Sequence, residues 1–82
     1  MFKIKLADYF KNQLRKMDKK TIGRLLKKIY NLKQGYRNNN NVKHLTNYSP
    51  EYRLRVGDYR ILFDVKNDVI YIQEIRTRGK GY

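Results

Sequence analysis

Apolar and polar residues alternate over Phe2-Lys3-Ile4-Lys5-Leu6, the period of a strand with one covered face. From Ala7 the spacing changes. Ala7, Phe10, Leu14 and Met17 recur at three- and four-residue steps, which predicts an amphipathic helix over about 7–17. Asp18 precedes a second stripe of this kind, Ile22, Leu25, Leu26, Ile29 and Leu32. Its carboxylate suits the start of a helix, where amide hydrogens lack partners. So short a connection predicts an antiparallel helical hairpin. Gly35 follows, where a left-handed cap favours a residue without Cβ.

Residues 36–50 lose all periodicity and read as a loop, with a polar tract at Asn38-Asn39-Asn40-Asn41 and Pro50 at its end. At Tyr52 the period becomes two. Tyr52, Leu54 and Val56 alternate with Arg53 and Arg55, Gly57-Asp58 reads as a two-residue hairpin turn, and Tyr59, Ile61, Phe63 and Val65 alternate with Arg60, Leu62, Asp64 and Lys66. Asn67-Asp68 marks a second turn, and the last strand runs from Val69 to about Thr77. There is no internal repeat and no linker. The pattern predicts one α+β domain over 1–82, of order β-α-α-β-β-β. The N-terminal strand and helical hairpin pack on a small, mainly antiparallel sheet.

Composition narrows the class. A chain of 82 residues buries only about 60% of its unfolded surface, and 40% hydrophobic residues suffice for one thin core. With no Cys, neither disulfides nor thiolate-bound metal can staple it. One His and seven scattered carboxylates lead us to expect neither metal nor cofactor. No apolar run approaches the ~20 residues of a membrane span, and the first residues lack the apolar stretch of a signal peptide. A cytoplasmic location is the expectation.

The formal net charge is +13. Such a balance points to nucleic acid, an anionic membrane or an acidic protein as partner. A membrane is the poorest fit, because the apolar stripes of the helices are needed for the core. The two cations are unevenly placed: residues 1–50 hold ten Lys and three Arg, and residues 51–82 hold five Arg and two Lys. Arg is the planar fork that grips phosphate in two places, so the second half is where a site is expected. The Lys-rich helices either add salt-sensitive contacts to RNA or are a solvated face.

If Gly57-Asp58 is the whole turn, Val56 pairs with Tyr59, Arg55 with Arg60, and Leu54 with Ile61. Arg55 and Arg60 then lie opposite each other on the face away from the helices, with Arg53 two residues along. Like charges directly across two strands are destabilising unless a carboxylate or an external anion sits between them. Glu74 is a candidate internal counter-ion if the second turn turns it that way, and a turn of two or three residues decides this. One reading is a solvated Arg-rich face; the other is an open face that binds a polyanion. The tail Ile75-Arg76-Thr77-Arg78-Gly79-Lys80-Gly81-Tyr82 supports the second, with three more cations and a Tyr able to stack on a base or donate to a phosphate. The single His44 reads as a surface or packing residue of the loop, and the other Tyr as core-edge residues.

These residues resemble a known family. Val42-Lys43-His44-Leu45, the block Tyr52-Arg53-Leu54-Arg55-Val56-Gly57-Asp58-Tyr59-Arg60-Ile61-Leu62-Phe63, then Thr77-Arg78-Gly79 and Tyr82 are similar to the RelE/ParE toxins of bacterial type II toxin–antitoxin systems. The resemblance covers nearly the whole chain and implies the topology derived above. RelE-type members are ribosome-dependent endoribonucleases that cut mRNA in the ribosomal A site. ParE-type members share the fold and inhibit DNA gyrase. Thr77 stands where many members have His, and no further helix follows Tyr82 in this sequence.

The resemblance also implies roles. Arg60 matches the family's catalytic Arg after the hairpin, Arg78 the Arg near the end of the last strand, and Tyr82 the Tyr that follows. On that basis Tyr82 acts as general base on the RNA 2′-hydroxyl and Arg60 and Arg78 stabilise the phosphorane. Arg53, Arg55, Arg76 and Lys80 hold the substrate backbone. Free Tyr titrates near 10, so Tyr82 would serve at neutral pH only where cations lower that value. The implied partners are a cognate acidic antitoxin, in a hetero-oligomer, and the ribosome with its mRNA.

Overall fold

The computed structural model describes residues 1–77 of the chain. Strand β1 (Lys3–Leu6) leads into helix α1 (Asp8–Arg15) and helix α2 (Lys19–Tyr30), and a 3₁₀ turn at Asn31–Gln34 extends the second helix. Strands β2 (Val42–His44), β3 (Tyr52–Val56), β4 (Tyr59–Lys66) and β5 (Val69–Thr77) complete a five-stranded sheet of order β1-β5-β4-β3-β2. Among the described residues only the β1–β5 pair is parallel. The α+β arrangement is the one the periodicity predicts, with one more strand than expected.

Asp18 caps α2 as anticipated, its side chain accepting from the Thr21 amide at 3.3 Å. That hydrogen bond holds the Asp18 carboxyl below its ordinary range. The first helix ends at Arg15 rather than near 17, and Leu32 falls in the 3₁₀ turn rather than in α2. Gly35 does close this segment, but with φ 136° and ψ 124° it is extended with positive φ rather than a left-handed cap.

Phe10, Leu14, Leu25, Ile29 and Leu32 pack against Leu54, Val56, Ile61, Phe63, Ile70, Ile72 and Ile75 to form the core. Tyr36, in the stretch read as loop, belongs to it as well. Its ring meets Phe2, Tyr52 and Phe63 edge-on at 5.4, 5.0 and 6.2 Å, an arrangement favoured by the ring quadrupoles. The loop expectation for 36–50 therefore needs two corrections. Tyr36 anchors its start, and Val42–His44 pairs with β3 as an edge strand that places His44 against the Tyr52 ring at 5.0 Å.

Beyond the end of β1, the outer edge of β5 is met by a side chain. The Gln13 amide donates to the Ile75 carbonyl at 2.9 Å and accepts from the Ile75 amide at 2.7 Å, which fastens α1 to the sheet.

Candidate functional site

The β3–β4 register is the predicted one: Leu54 faces Ile61, Arg55 faces Arg60, and Val56 faces Tyr59. Gly57 has φ 58°, a value that favours glycine, so the turn is closed in two residues. On the next strand Arg60 faces Arg76. Arg55, Arg60 and Arg76 thus form one row across three adjacent strands, on the face opposite the helices. Lys43, Arg53, Leu62 and Glu74 form the neighbouring row.

The orientation of Glu74 depends on a feature of β5. The second turn has two residues, since Lys66 pairs with Val69, but the register shifts between Leu62 and Phe63. Phe63 faces Ile72 while Leu62 faces Glu74, so Gln73 is the extra residue of a bulge. Without that bulge the period-two rule would turn Glu74 to the core and Ile75 outward. With it, Ile75 is buried and Glu74 joins the arginines, where its carboxylate meets Arg76 at 3.3 Å. That hydrogen bond and charge hold the Arg76 guanidinium above its ordinary range. Tyr48 and Tyr9, 42% and 61% exposed, lie within electrostatic reach of the same guanidinium.

Arg60 turns back on its own hairpin, its Nη1 donating to the carbonyls of Gly57 and Tyr59 at 3.2 Å each. Arg55 is exposed, and Arg53 and Arg76 are half-buried. Leu62 is completely buried although it lies on this face. Its cross-strand neighbours are Arg53 and Glu74, and long polar side chains cover apolar ones with their stems.

A shallow depression beside the arginine row is lined by Asn40, Asn41, Val42, Lys43, Arg53 and Arg55. The Arg55 amide donates to the Asn41 carbonyl at 2.8 Å, which ties the asparagine tract to the edge of the face. Lys43, Asn40 and Asn41 are thus neighbours of the site that periodicity missed, because a three-residue strand is too short to show a period. Tyr9 and Tyr48 were missed for another reason: they lie far from the Arg block in sequence.

Of the residues expected at the site, Arg53, Arg55, Arg60 and Arg76 come together on one face. Arg78, Lys80 and Tyr82 lie outside the described residues. Among the described residues no three His, Asp or Glu side chains gather as metal ligands, and no helix is long and apolar enough to cross a membrane.

Chemically, the face gathers phosphate-matching forks with the Glu74 carboxylate among them. Residues 4–82 match the family model described as the ParE toxin of the type II toxin–antitoxin system parDE. The chain belongs to the RelE/ParE family of toxins. Solved structures repeat the fold of this family member. The RelE of an archaeal RelE–RelB complex from Pyrococcus horikoshii is 24% identical, with 98% of each chain covered and a TM-score of 0.81. The intact Escherichia coli RelBE toxin–antitoxin complex matches at 15% identity over 98% of this chain and 99% of that one, TM-score 0.77. The isolated Escherichia coli RelE toxin matches at 15% identity over 99% of this chain and 88% of that one, TM-score 0.78. At these identities the likeness is one of fold. No curated protein shows significant sequence similarity to the chain.

Proposed function

We propose that this toxin is a ribosome-dependent endoribonuclease, one domain that cuts mRNA in the ribosomal A site and halts translation. The observation that carries this reading is the row Arg55, Arg60 and Arg76, like charges held directly opposite one another across three strands, with Glu74 paired to Arg76. A phosphodiester lying over the row places negative charge between these guanidinium groups.

RNA brings its own nucleophile. The 2′-oxygen gives its proton to the Tyr82 phenolate and bonds to phosphorus, the bond from phosphorus to the 5′-oxygen breaks, and that oxygen takes a proton from water, whose hydroxide recovers the proton held by Tyr82. The products are a 2′,3′-cyclic phosphate and a 5′-hydroxyl. Arg60 and Arg78 stabilise the charge that develops on the phosphorane oxygens, and Arg60 gives up its bonds to the turn carbonyls to do so. Arg53, Arg55, Arg76 and Lys80 hold the chain on either side. Arg remains protonated and makes a poor general acid, so the protein alone is a weak nuclease. The ribosome adds orientation of the mRNA. No cofactor is needed for this chemistry, and its place is the cytoplasm.

A toxin of this kind must be held silent. Two of the similar structures above are complexes with an antitoxin, and by the same reading this chain pairs with a cognate acidic antitoxin in a hetero-oligomer. A partner that orders on binding can cover the whole arginine face.

The second reading, inhibition of DNA gyrase without nuclease activity, is favoured by the ParE description of the matched family model. The two part in a reconstituted translation reaction with a defined mRNA, with new RNA ends mapped with and without ribosomes. The first reading expects cuts at the A-site codon that require ribosomes and disappear with Tyr82→Phe. Intact mRNA in the presence of folded protein would instead direct attention to a gyrase supercoiling assay.

A further inference from the structure

Helix α2 holds five cations, Lys19, Lys20, Arg24, Lys27 and Lys28, and no acid. Arg24 stands four residues from Lys20, three from Lys27 and four from Lys28, so like charges stack on successive turns, which weakens a helix. In the same exposed stretch sits Gly23. A Cβ built there meets nothing within 4 Å. Neither a special backbone angle nor close packing inside the molecule calls for glycine, and alanine would make a better helix. The fold explains neither the missing side chain nor the concentration of charge.

Lys20, Thr21, Gly23, Arg24 and Lys27 together line a shallow groove along the helix. Its walls are methylene stems and its rim is cationic. No aromatic or large apolar side chain lines it, so it lacks the anchors on which protein partners depend. It has instead what contacts to a phosphate backbone use. The groove also joins the arginine face. A Cβ on Gly57 would lie 3.7 Å from Arg24 Nη2, while Arg60 donates to the carbonyl of the same residue at 3.2 Å. Two guanidinium groups, one from α2 and one from the sheet, meet at a single turn residue.

We propose that the groove over Gly23 docks an RNA phosphodiester backbone other than the strand being cut. Lys20, Arg24 and Lys27 take phosphate oxygens, and the absent side chain at 23 lets the sugar–phosphate chain lie against the helix. This inference rests on the RNA-directed reading above.

The test uses the full chain with three probes, a fluorescein-labelled RNA hairpin, intact ribosomes and a Glu-rich peptide, and follows affinity against salt concentration. Gly23→Gln places an uncharged side chain in open space on a better helix former, so the variant should fold. Its slope of log affinity against log salt should fall by about 2 as flanking contacts are pushed off. Lys20→Gln and Lys27→Gln should each lower the slope by about 1. Gly23→Ala should raise the melting temperature by about 4–8 °C while weakening RNA binding, a pairing of signs that general damage cannot produce. Wild-type affinity and slope in Gly23→Gln, alongside ribosome-dependent cleavage by the unaltered protein, would overturn the groove alone. Loss of binding confined to a Glu-rich peptide probe would assign the groove to a protein partner and overturn the proposal. An unaltered protein that neither binds the hairpin nor cuts mRNA would overturn the RNA reading and the groove with it.

Discussion

On the side of the sheet that meets the helices, β3, β4 and β5 carry Leu54, Val56, Ile61, Phe63, Ile70, Ile72 and Ile75, all buried. On the other side the same strands carry Arg53, Arg55, Arg60, Glu74 and Arg76, with Leu62 alone fully buried among them. Each residue of the first face is satisfied by its neighbours through burial of apolar area. The second face is organised by the same backbone but by polar contacts: three arginines share a row, Arg76 pairs with Glu74, and Arg60 donates to the turn carbonyls. One sheet thus separates a buried apolar face from a partly exposed cationic one.

Substitutions should divide along that line. The largest effect is expected on the helix side, where Phe63→Ala removes a fully buried ring and should cost about 3–5 kcal/mol. That is a large share of what so small a protein has, and urea unfolding would show it together with loss of every activity. Next comes Arg60→Gln, which should lower single-turnover cleavage about 100- to 1,000-fold with an unfolding midpoint close to that of the parent. A large fall in stability here would break the contrast between the faces. Arg55→Gln should show opposite signs in two measurements. Removing one of two facing like charges should add about 0.2–1 kcal/mol to stability, and the salt slope of RNA binding should drop by about 1.

The smallest effect concerns Asp18, at the junction of the helices. Its folded carboxyl titrates below the ordinary value because it accepts from Thr21. Its contribution is therefore complete above the unfolded value of about 3.9 and is lost as pH falls below that toward the folded value. Melting temperature followed from neutral pH to pH 3 should fall more steeply for the parent than for Asp18→Asn, which caps without titrating. Parallel curves would remove Asp18 from the acid response.

The sequence shows the two faces with unequal clarity. From Tyr52 to Lys66 period-two alternation and a two-residue turn leave one register, so the opposition of Arg55 and Arg60 is legible residue by residue. The position of Glu74 is not. A bulge at Gln73 changes which side the rest of β5 presents, and nothing in Ile72-Gln73-Glu74-Ile75 announces it except the uneven spacing of its isoleucines. The strand at Val42–His44 is hidden by its shortness, and the burial of Tyr36 by the polar run that follows it. Regular elements state their geometry through repetition. Single irregular residues decide what the face presents, and repetition says nothing of them.

The amide of Gln13 has a consequence for solubility. A sheet that ends in a bare edge offers its peptide groups to any other chain, and such edges promote aggregation. At Ile75 that invitation is withdrawn by one side chain whose terminal amide has the same donor and acceptor as a peptide group. Asparagine carries the same group on a shorter arm, and glutamate can accept but not donate. Glutamine thus acts here as a one-residue counterfeit of a sixth strand, closing part of the edge without any more chain.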